Sequence, residues 1–154
     1  MEPEGISSDG RGPDRTARSF PAQAIVITGG EPSLYPLDYL TGALKERGLE
    51  IFLETSGAHP LSGRFDWICL SPKKQHPPRE EILAQAGELK VIVETEDDFE
   101  WAERNAARTN DACRLYLQPE WSRFDSVIAQ TVEYVKAHPK WNISIQTHKY
   151  MRIP

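Results

Sequence analysis

Short apolar runs alternate with amphipathic stretches along the chain from about residue 23 onward. Each run ends at glycine, proline or small polar residues, as buried strands do where they stop at tight turns. Between most runs, apolar residues recur at the spacing of a helix that buries one face. The predicted strands are 24–27, 49–54, 65–70, 89–93, 114–117 and 141–146. Four helices are predicted. The first has Leu37, Leu40 and Leu44 on its apolar face and ends at Gly48, and the second spans 79–86. The third begins at a Thr95–Asp98 capping box and turns Phe99, Ala102 and Ala106 to the core, and the fourth spans 125–137 with Ile128, Val132 and Val135 inward.

Strands that alternate with helices predict an α/β fold with a mostly parallel sheet. One connection, 57–64, is too short for a crossover helix, so we expect a loop or a single turn there. Residues 1–20 are polar and have no hydrophobic period, which predicts disorder. Residues 21–154 are expected to form one domain that ends in an irregular tail from residue 147.

Composition and charge exclude several classes of function for this chain. The chain has 154 residues and a formal net charge of −5 without a Lys/Arg block, which argues against a nucleic-acid surface. It has no apolar run long enough for a membrane span and no secretory signal, so we expect a cytoplasmic protein. Cys69 and Cys113 are its two cysteines, far apart and in apolar surroundings. They are expected to be buried thiols rather than metal ligands.

The ends of the predicted strands carry the candidate chemistry, because parallel α/β sheets bind ligands beyond the carboxyl ends of their strands. Glu31 and Glu54 follow the first two strands and can accept hydrogen bonds from an ammonium group. Lys73 and Lys74 follow the third and can pair with a carboxylate. Turn glycines, solvated charges and ordinary strand stops explain each segment equally well when it is taken alone.

The residues at the end of the sequence have an unusual composition for a free terminus. Tyr150, Met151 and Ile153 are apolar, which predicts that this tail docks onto the domain. His148 is a candidate hydrogen-bonding group in it, and a structural histidine is the alternative.

The segment Thr28-Gly29-Gly30-Glu31-Pro32 resembles the GGEP motif of radical S-adenosylmethionine enzymes. Residues 54–57, 70–73, 117–119 and 146–154 are similar, in the same order, to segments of one family in that group, the 7-carboxy-7-deazaguanine synthases. The resemblance covers residues 24–154. It implies a partial TIM-like (β/α) barrel and a lyase of queuosine biosynthesis. That lyase contracts 6-carboxy-5,6,7,8-tetrahydropterin to 7-carboxy-7-deazaguanine with loss of ammonia.

The resemblance also implies cofactors and site residues. The family uses S-adenosylmethionine, a [4Fe–4S] cluster and Mg²⁺. By position in the motifs, S-adenosylmethionine would contact Gly30 and Glu31 at its amino group, Ser71, Pro72 and Lys73 at its ribose and carboxylate, and Gln118, Pro119 and Glu120 at its adenine. Thr28 and His148 would contact the pterin, and the terminal carboxylate of Pro154 would bind its pyrimidine edge.

The sequence departs from the family pattern in three respects. The CxxxCxxC loop that binds the cluster in the family is absent, as are the first barrel strand and the threonine that binds Mg²⁺. The resemblance therefore predicts an incomplete core domain that is inactive alone. Its origin would be a truncated product, a misplaced start or half of a split enzyme, and its partner a second copy or a complementing N-terminal chain. A non-catalytic S-adenosylmethionine- or pterin-binding pseudoenzyme is the alternative. An unpaired edge at 24–27 also predicts self-association.

Overall fold

Six parallel strands form one sheet in which sheet order follows chain order. The structure is a computed structural model that describes residues 21–153, so the predictions for residues 1–20 and for Pro154 lie outside the described residues. The strands are β1 Ala24–Ile27, β2 Glu50–Thr55, β3 Trp67–Leu70, β4 Glu88–Val93, β5 Arg114–Pro119 and β6 Trp141–Ile143. β1 and β6 are the two edges, so the sheet is an open, partial barrel. The predicted α/β class is confirmed.

Helices follow most strands, with short 3-10 helices at two strand ends. The α-helices are α1 Asp38–Lys45, α2 Glu80–Leu83, α3 Asp97–Ala106, α4 Phe124–Ala137 and α5 Thr147–Met151, and the 3-10 helices are Pro32–Leu34 and Trp121–Arg123. The irregular tail was predicted wrongly, because α5 forms there. β6 is also shorter than predicted. No helix within residues 21–153 is long and apolar enough to span a bilayer.

Alternation along the strands separates a core face from a polar face. In β4, Leu89, Val91 and Val93 are buried, whereas the intervening Lys90 and Ile92 are only half-buried. The buried face packs on the helices and forms the main core. Its fully buried members include Leu70, Ile82, Leu83, Leu89, Val91, Leu117 and Trp141. The core therefore lies between sheet and helices, which leaves the other face of the sheet free for a site.

The helix faces largely follow the predicted spacing. Phe99 and Ala102 of α3 are buried, but in α4 the fully buried positions are Val127 and Thr131, and the predicted stripe is half-buried. The capping box forms only in part. The Asp98 carboxylate accepts hydrogen bonds from the backbone N–H groups of Glu94 and Thr95, each at 2.8 Å. The Thr95 hydroxyl donates to the same carboxylate instead of accepting from the Asp98 N–H.

The predicted loop crossing between β2 and β3 is confirmed, and it depends on Gly57. This residue has φ +72°, a conformation that favours glycine. A Cβ atom there would lie 2.5 Å from Leu70 Cδ1 and 3.2 Å from Pro78 Cβ. After β2 the chain therefore passes directly over the core, and at Gly57 there is no room for a side chain.

Replacing Gly57 with alanine should destabilise the fold more than the same change at Gly48. Gly48 has φ +74° but open space around its Cβ position, so Gly48→Ala should cost only the conformational strain, about 1–2 kcal/mol. Gly57→Ala should cost roughly 1–3 kcal/mol more, because Leu70 must move. Urea unfolding followed by tryptophan fluorescence measures both losses. Equal losses would contradict the packing assigned to Gly57.

Candidate functional site

An open cleft of ≈ 420 Å³ lies at the carboxyl ends of the strands. Every strand contributes to it, either from its last residues or from the loop that follows. Its lining residues are Thr28, Gly29, Gly30, Glu31, Glu54, Thr55, Ser56, Ser71, Lys73, Lys90, Ile92, Gln118, Ser144, Ile145, Gln146 and His148. Most of the strand-end segments that the sequence analysis selected one by one therefore share a single site.

The Glu31 side chain organises the β1 side of this cleft. After the positive-φ pair Gly29 and Gly30, Glu31 caps the 3-10 helix Pro32–Leu34. Its Oε1 accepts hydrogen bonds from the Ser33 N–H at 3.1 Å and the Ser33 hydroxyl at 2.7 Å.

The same carboxylate reaches across to the end of β2. Glu31 Oε1 also accepts from the Thr55 hydroxyl at 2.6 Å. Its Oε2 accepts from the Ser56 N–H at 2.8 Å and from the Ser56 hydroxyl. The loop after β1 is thereby fixed to the neighbouring strand end.

Glu31 is held as an anion. Burial alone would raise the pKa of its carboxyl, but the hydrogen bonds from Ser56, Thr55 and Ser33 outweigh burial and lower the pKa from 4.5 to about 2. Because protein donors already occupy both oxygens, the carboxylate can act on a ligand through its fixed negative charge. It also holds in place the loop that follows β1.

A lysine–glutamate ion pair lies on the inner face of the sheet, the face opposite the core. Lys90 Nζ is 3.3 Å from Glu54 Oε2, and the Lys90 side chain is 16% exposed against 45% for Glu54. Burial acts to lower the pKa of Lys90, but the neighbouring Cys69, Glu54 and Glu88 outweigh it and raise that pKa. Glu54, predicted to accept from a ligand ammonium, therefore already has an ammonium partner from the chain itself.

The sequence analysis missed Lys90 as a site residue. The signal was present in β4, since Leu89, Val91 and Val93 assign the core face and place Lys90 on the opposite one. Ile92, Ser144, Ile145 and Gln146 are further lining residues to which no role had been assigned.

Polar residues predicted from β3, β5 and the tail also meet in the cleft. Lys73 Nζ donates to the Ser71 hydroxyl at 3.3 Å. Gln118 is buried, and its Oε1 accepts from the Ser144 hydroxyl at 3.1 Å. His148 lines the cleft from α5 and is exposed.

Other predicted residues do not line the cleft. Pro72 lines a neighbouring groove together with Lys74, which is ion-paired to Asp98. Pro119 is buried at the end of β5. The Glu120 carboxylate caps the 3-10 helix Trp121–Arg123 by accepting from the Arg123 N–H at 3.1 Å. Their roles toward a cofactor, like that of Pro154, stay predictions.

The described side chains do not fit a [4Fe–4S] cluster or a Mg²⁺ ion. Cys69 is buried, donates its thiol to Glu88 Oε1 at 3.4 Å, and has its pKa raised to about 12 by burial. Cys113 is half-buried and directly precedes β5, and burial raises its pKa too. Between residues 21 and 153, no three His, Cys, Asp or Glu side chains form a group that could hold a metal.

Several known proteins with similar sequences have the same name. No protein-family model matches the chain. It is 47% identical to 7-carboxy-7-deazaguanine synthase from Flavobacterium psychrophilum, over 86% of this chain and 63% of that protein. It is 33% identical to the synthase from Prochlorococcus marinus, over 89% of this chain and 71% of that protein. The chain belongs to the 7-carboxy-7-deazaguanine synthase family.

Structural comparison agrees with this membership. The crystal structure of QueE from Escherichia coli matches 85% of this chain with a TM-score of 0.75 and 30% sequence identity, and the match covers 60% of that chain. The family resemblance and the partial-barrel fold drawn from the motifs are therefore confirmed. The chain spans somewhat less than two thirds of the length of its relatives from Flavobacterium psychrophilum and Synechocystis.

Replacing Glu31 with glutamine tests the charge at this synthase-family site. Its folded pKa lies below 4.5, so the ionised side chain stabilises the fold above pH 4.5, and this stability is lost as pH falls from about 4.5 to about 2. At pH 7, Glu31→Gln should cost about 1 kcal/mol, a figure that allows for solvent screening. The cost should shrink over that pH window.

Urea unfolding from pH 7 down to pH 2.5 measures the difference. Glu46→Gln, which removes an exposed carboxylate after α1, is the matched control. A cost for Glu31→Gln that did not change with pH would contradict an ionised Glu31.

Proposed function

We propose that this chain forms the ligand-binding part of a 7-carboxy-7-deazaguanine synthase. The reaction would convert 6-carboxy-5,6,7,8-tetrahydropterin to 7-carboxy-7-deazaguanine and ammonia, with S-adenosylmethionine as cofactor. One observation carries the proposal beyond family membership: a single cleft contains most of the residues that the motifs assigned. These are Thr28, Gly30, Glu31, Ser71, Lys73, Gln118 and His148.

The charged side chains of the cleft suit the amino-acid end of S-adenosylmethionine, which has an ammonium and a carboxylate group. The anionic Glu31 and the positive-φ glycines beside it favour the ammonium, because small residues let backbone carbonyls approach. Lys73, hydrogen-bonded to Ser71 on β3's side of the cleft, favours the carboxylate. When bound, S-adenosylmethionine supplies the radical chemistry of the family, and the chain's own residues bind and orient it.

The pterin would occupy the part of the cleft near Thr28 and His148. Glu54 adds a group that suits a ring with N–H donors, because Lys90 contacts only its Oε2 and the side chain is partly exposed. Lys90 fixes the direction of that carboxylate. A bound carboxy-pterin would then meet both an acceptor and a recessed cation at the floor of the site.

Cluster binding requires residues that these 154 do not contain. The family motif has three cysteines, whereas this sequence has two, and Cys69 is a buried, protonated thiol bonded to Glu88. We infer that the ligands for the cluster and for Mg²⁺ come from polypeptide outside this sequence, either a complementing chain or another part of the same protein. The unpaired thiols fit a reducing, cytoplasmic compartment. A homodimer, as in the family, is a further proposal.

A non-catalytic binding module is the second candidate function. The observation that favours it is that the described residues bring together groups that can bind a ligand but no group of side chains that could hold a cluster. The two candidates share the cleft and differ in whether the product forms when a cluster is supplied.

Complementation under anaerobic conditions separates them. The purified chain is mixed with a polypeptide that carries the family's CxxxCxxC loop and first strand, and the cluster is reconstituted with iron and sulfide. With S-adenosylmethionine, Mg²⁺ and 6-carboxy-5,6,7,8-tetrahydropterin, we expect 7-carboxy-7-deazaguanine by mass spectrometry from the mixture and none from either component alone.

The other outcomes are equally informative. S-adenosylmethionine binding by the chain without product from any mixture would contradict the enzyme and support the binding module. Neither binding nor product would contradict both. Lys136→Ala, an exposed change on α4, should leave product formation unchanged, whereas Lys73→Ala should reduce it.

A further inference from the structure

The helix α5 carries cleft residues on a segment with few attachments. His148 lies in α5 and Gln146 directly before it, and both line the cleft. α5 has only five residues, none of them buried, and no side chain caps its first turn. A helix this short is not stable by itself, so something else must hold it in place.

Backbone hydrogen bonds do not supply the attachment. The Ser144 N–H donates to the Leu117 carbonyl at 2.9 Å, and this is the last such bond to the sheet. Beyond it, the Thr147 N–H donates to Ile145 and the Ile153 N–H to His148, which are bonds inside the segment. Among the residues that the structure describes, no hydrogen bond joins 145–153 to the rest of the chain.

Burial of apolar side chains does not supply it either. Ile145, Met151 and Ile153 are 49%, 59% and 52% exposed. Their contribution to docking is therefore small compared with that of a buried core residue.

What remains is a group of aromatic contacts, together with an attraction between the Lys149 ammonium and the Glu120 carboxylate. The Tyr150 ring packs edge to face against the Trp121 ring, with centroids 5.2 Å apart, and against the Phe124 ring, with centroids 6.1 Å apart. Lys149 Nζ lies 5.0 Å from the centroid of the Trp121 ring, a cation–π contact. We call Trp121, Phe124, Lys149 and Tyr150 the aromatic clasp.

The clasp connects α5 to the element that follows β5. Trp121 and Phe124 lie just beyond Gln118, which lines the cleft from the end of β5. α5 is thus anchored on the same strand end that contributes to the site.

We propose that the aromatic clasp is a positioning device that holds His148 and Gln146 at the cleft. Trp121 and Tyr150 set the place of α5 without lining the cleft themselves. The identity of the ligand rests on the proposed function, but the anchoring of α5 does not. Loss of the clasp should release α5 while leaving the sheet and its core unchanged, because the core residues lie on the opposite face.

Hydrogen exchange of the ligand-free chain tests the anchoring directly. Tyr150→Ala should speed amide exchange across residues 147–153 by about tenfold, the loss expected from two aromatic contacts. Tyr150→Phe should restore slow exchange, because the ring makes the contacts. Tyr39→Ala, which removes a tyrosine that is 89% exposed on α1, is the matched control and should change nothing in this segment.

The His148 imidazole gives a second readout, specific to positioning. In Tyr150→Ala and Trp121→Ala, its proton resonances should move toward those of an unstructured histidine, whereas those of His76 should stay in place. Unchanged exchange in 147–153 together with an unchanged His148 resonance would overturn the proposal.

Ligand binding separates this proposal from the proposed function. With pterin-6-carboxylate as probe, Tyr150→Ala should weaken binding about tenfold relative to Tyr39→Ala. If the unmodified chain does not bind the probe, the proposed function fails, and the exchange and His148 results still decide whether the clasp exists. Normal probe affinity in Tyr150→Ala would overturn the positioning role.

Discussion

The Glu31 carboxylate connects two strand ends that sequence separates by more than twenty residues. Ser33 lies on the same loop as Glu31, Thr55 ends the neighbouring strand and Ser56 follows it, and all three donate to the carboxylate. These bonds keep the carboxylate ionised despite partial burial. They also fix the loop that contains Gly29 and Gly30 to the end of β2. One charged group therefore holds the backbone on this side of the cleft.

The division of the sheet into two faces explains why a stable core and a polar site coexist. Each strand turns alternate side chains to the helices, where Leu89, Val91 and Leu117 are fully buried. The remaining positions face the interior of the partial barrel, and there Lys90 and Glu54 form an ion pair close to the cleft. Changes on the core face should alter stability first, and changes on the inner face should alter binding first.

Local patterns predicted the parallel sheet and the β1, β2, β3 and β5 ends of the cleft, because apolar runs and turn residues are short-range signals. The alternation in β4 carried the signal for Lys90, but it was missed because a charge within a strand is usually interpreted as solvent-facing. Local patterns also missed the helix α5, whose position depends on Trp121, far earlier in the chain. The Glu120 carboxylate caps a 3-10 helix by accepting from the Arg123 N–H, and its assignment to a cofactor stays a prediction. Long-range contacts, which local patterns do not contain, account for the missed helix.

The proposed function requires that this synthase-family chain bind S-adenosylmethionine in the cleft at the carboxyl ends of its strands. Titration of ¹⁵N-labelled chain with S-adenosylmethionine, followed by amide chemical shifts, tests it most directly. We predict saturable shifts at Gly29, Gly30, Ser71 and Gln118, and none at Glu100 or Glu133 in the groove between α3 and α4. The absence of saturable shifts at the strand ends, or shifts confined to that groove, would contradict it.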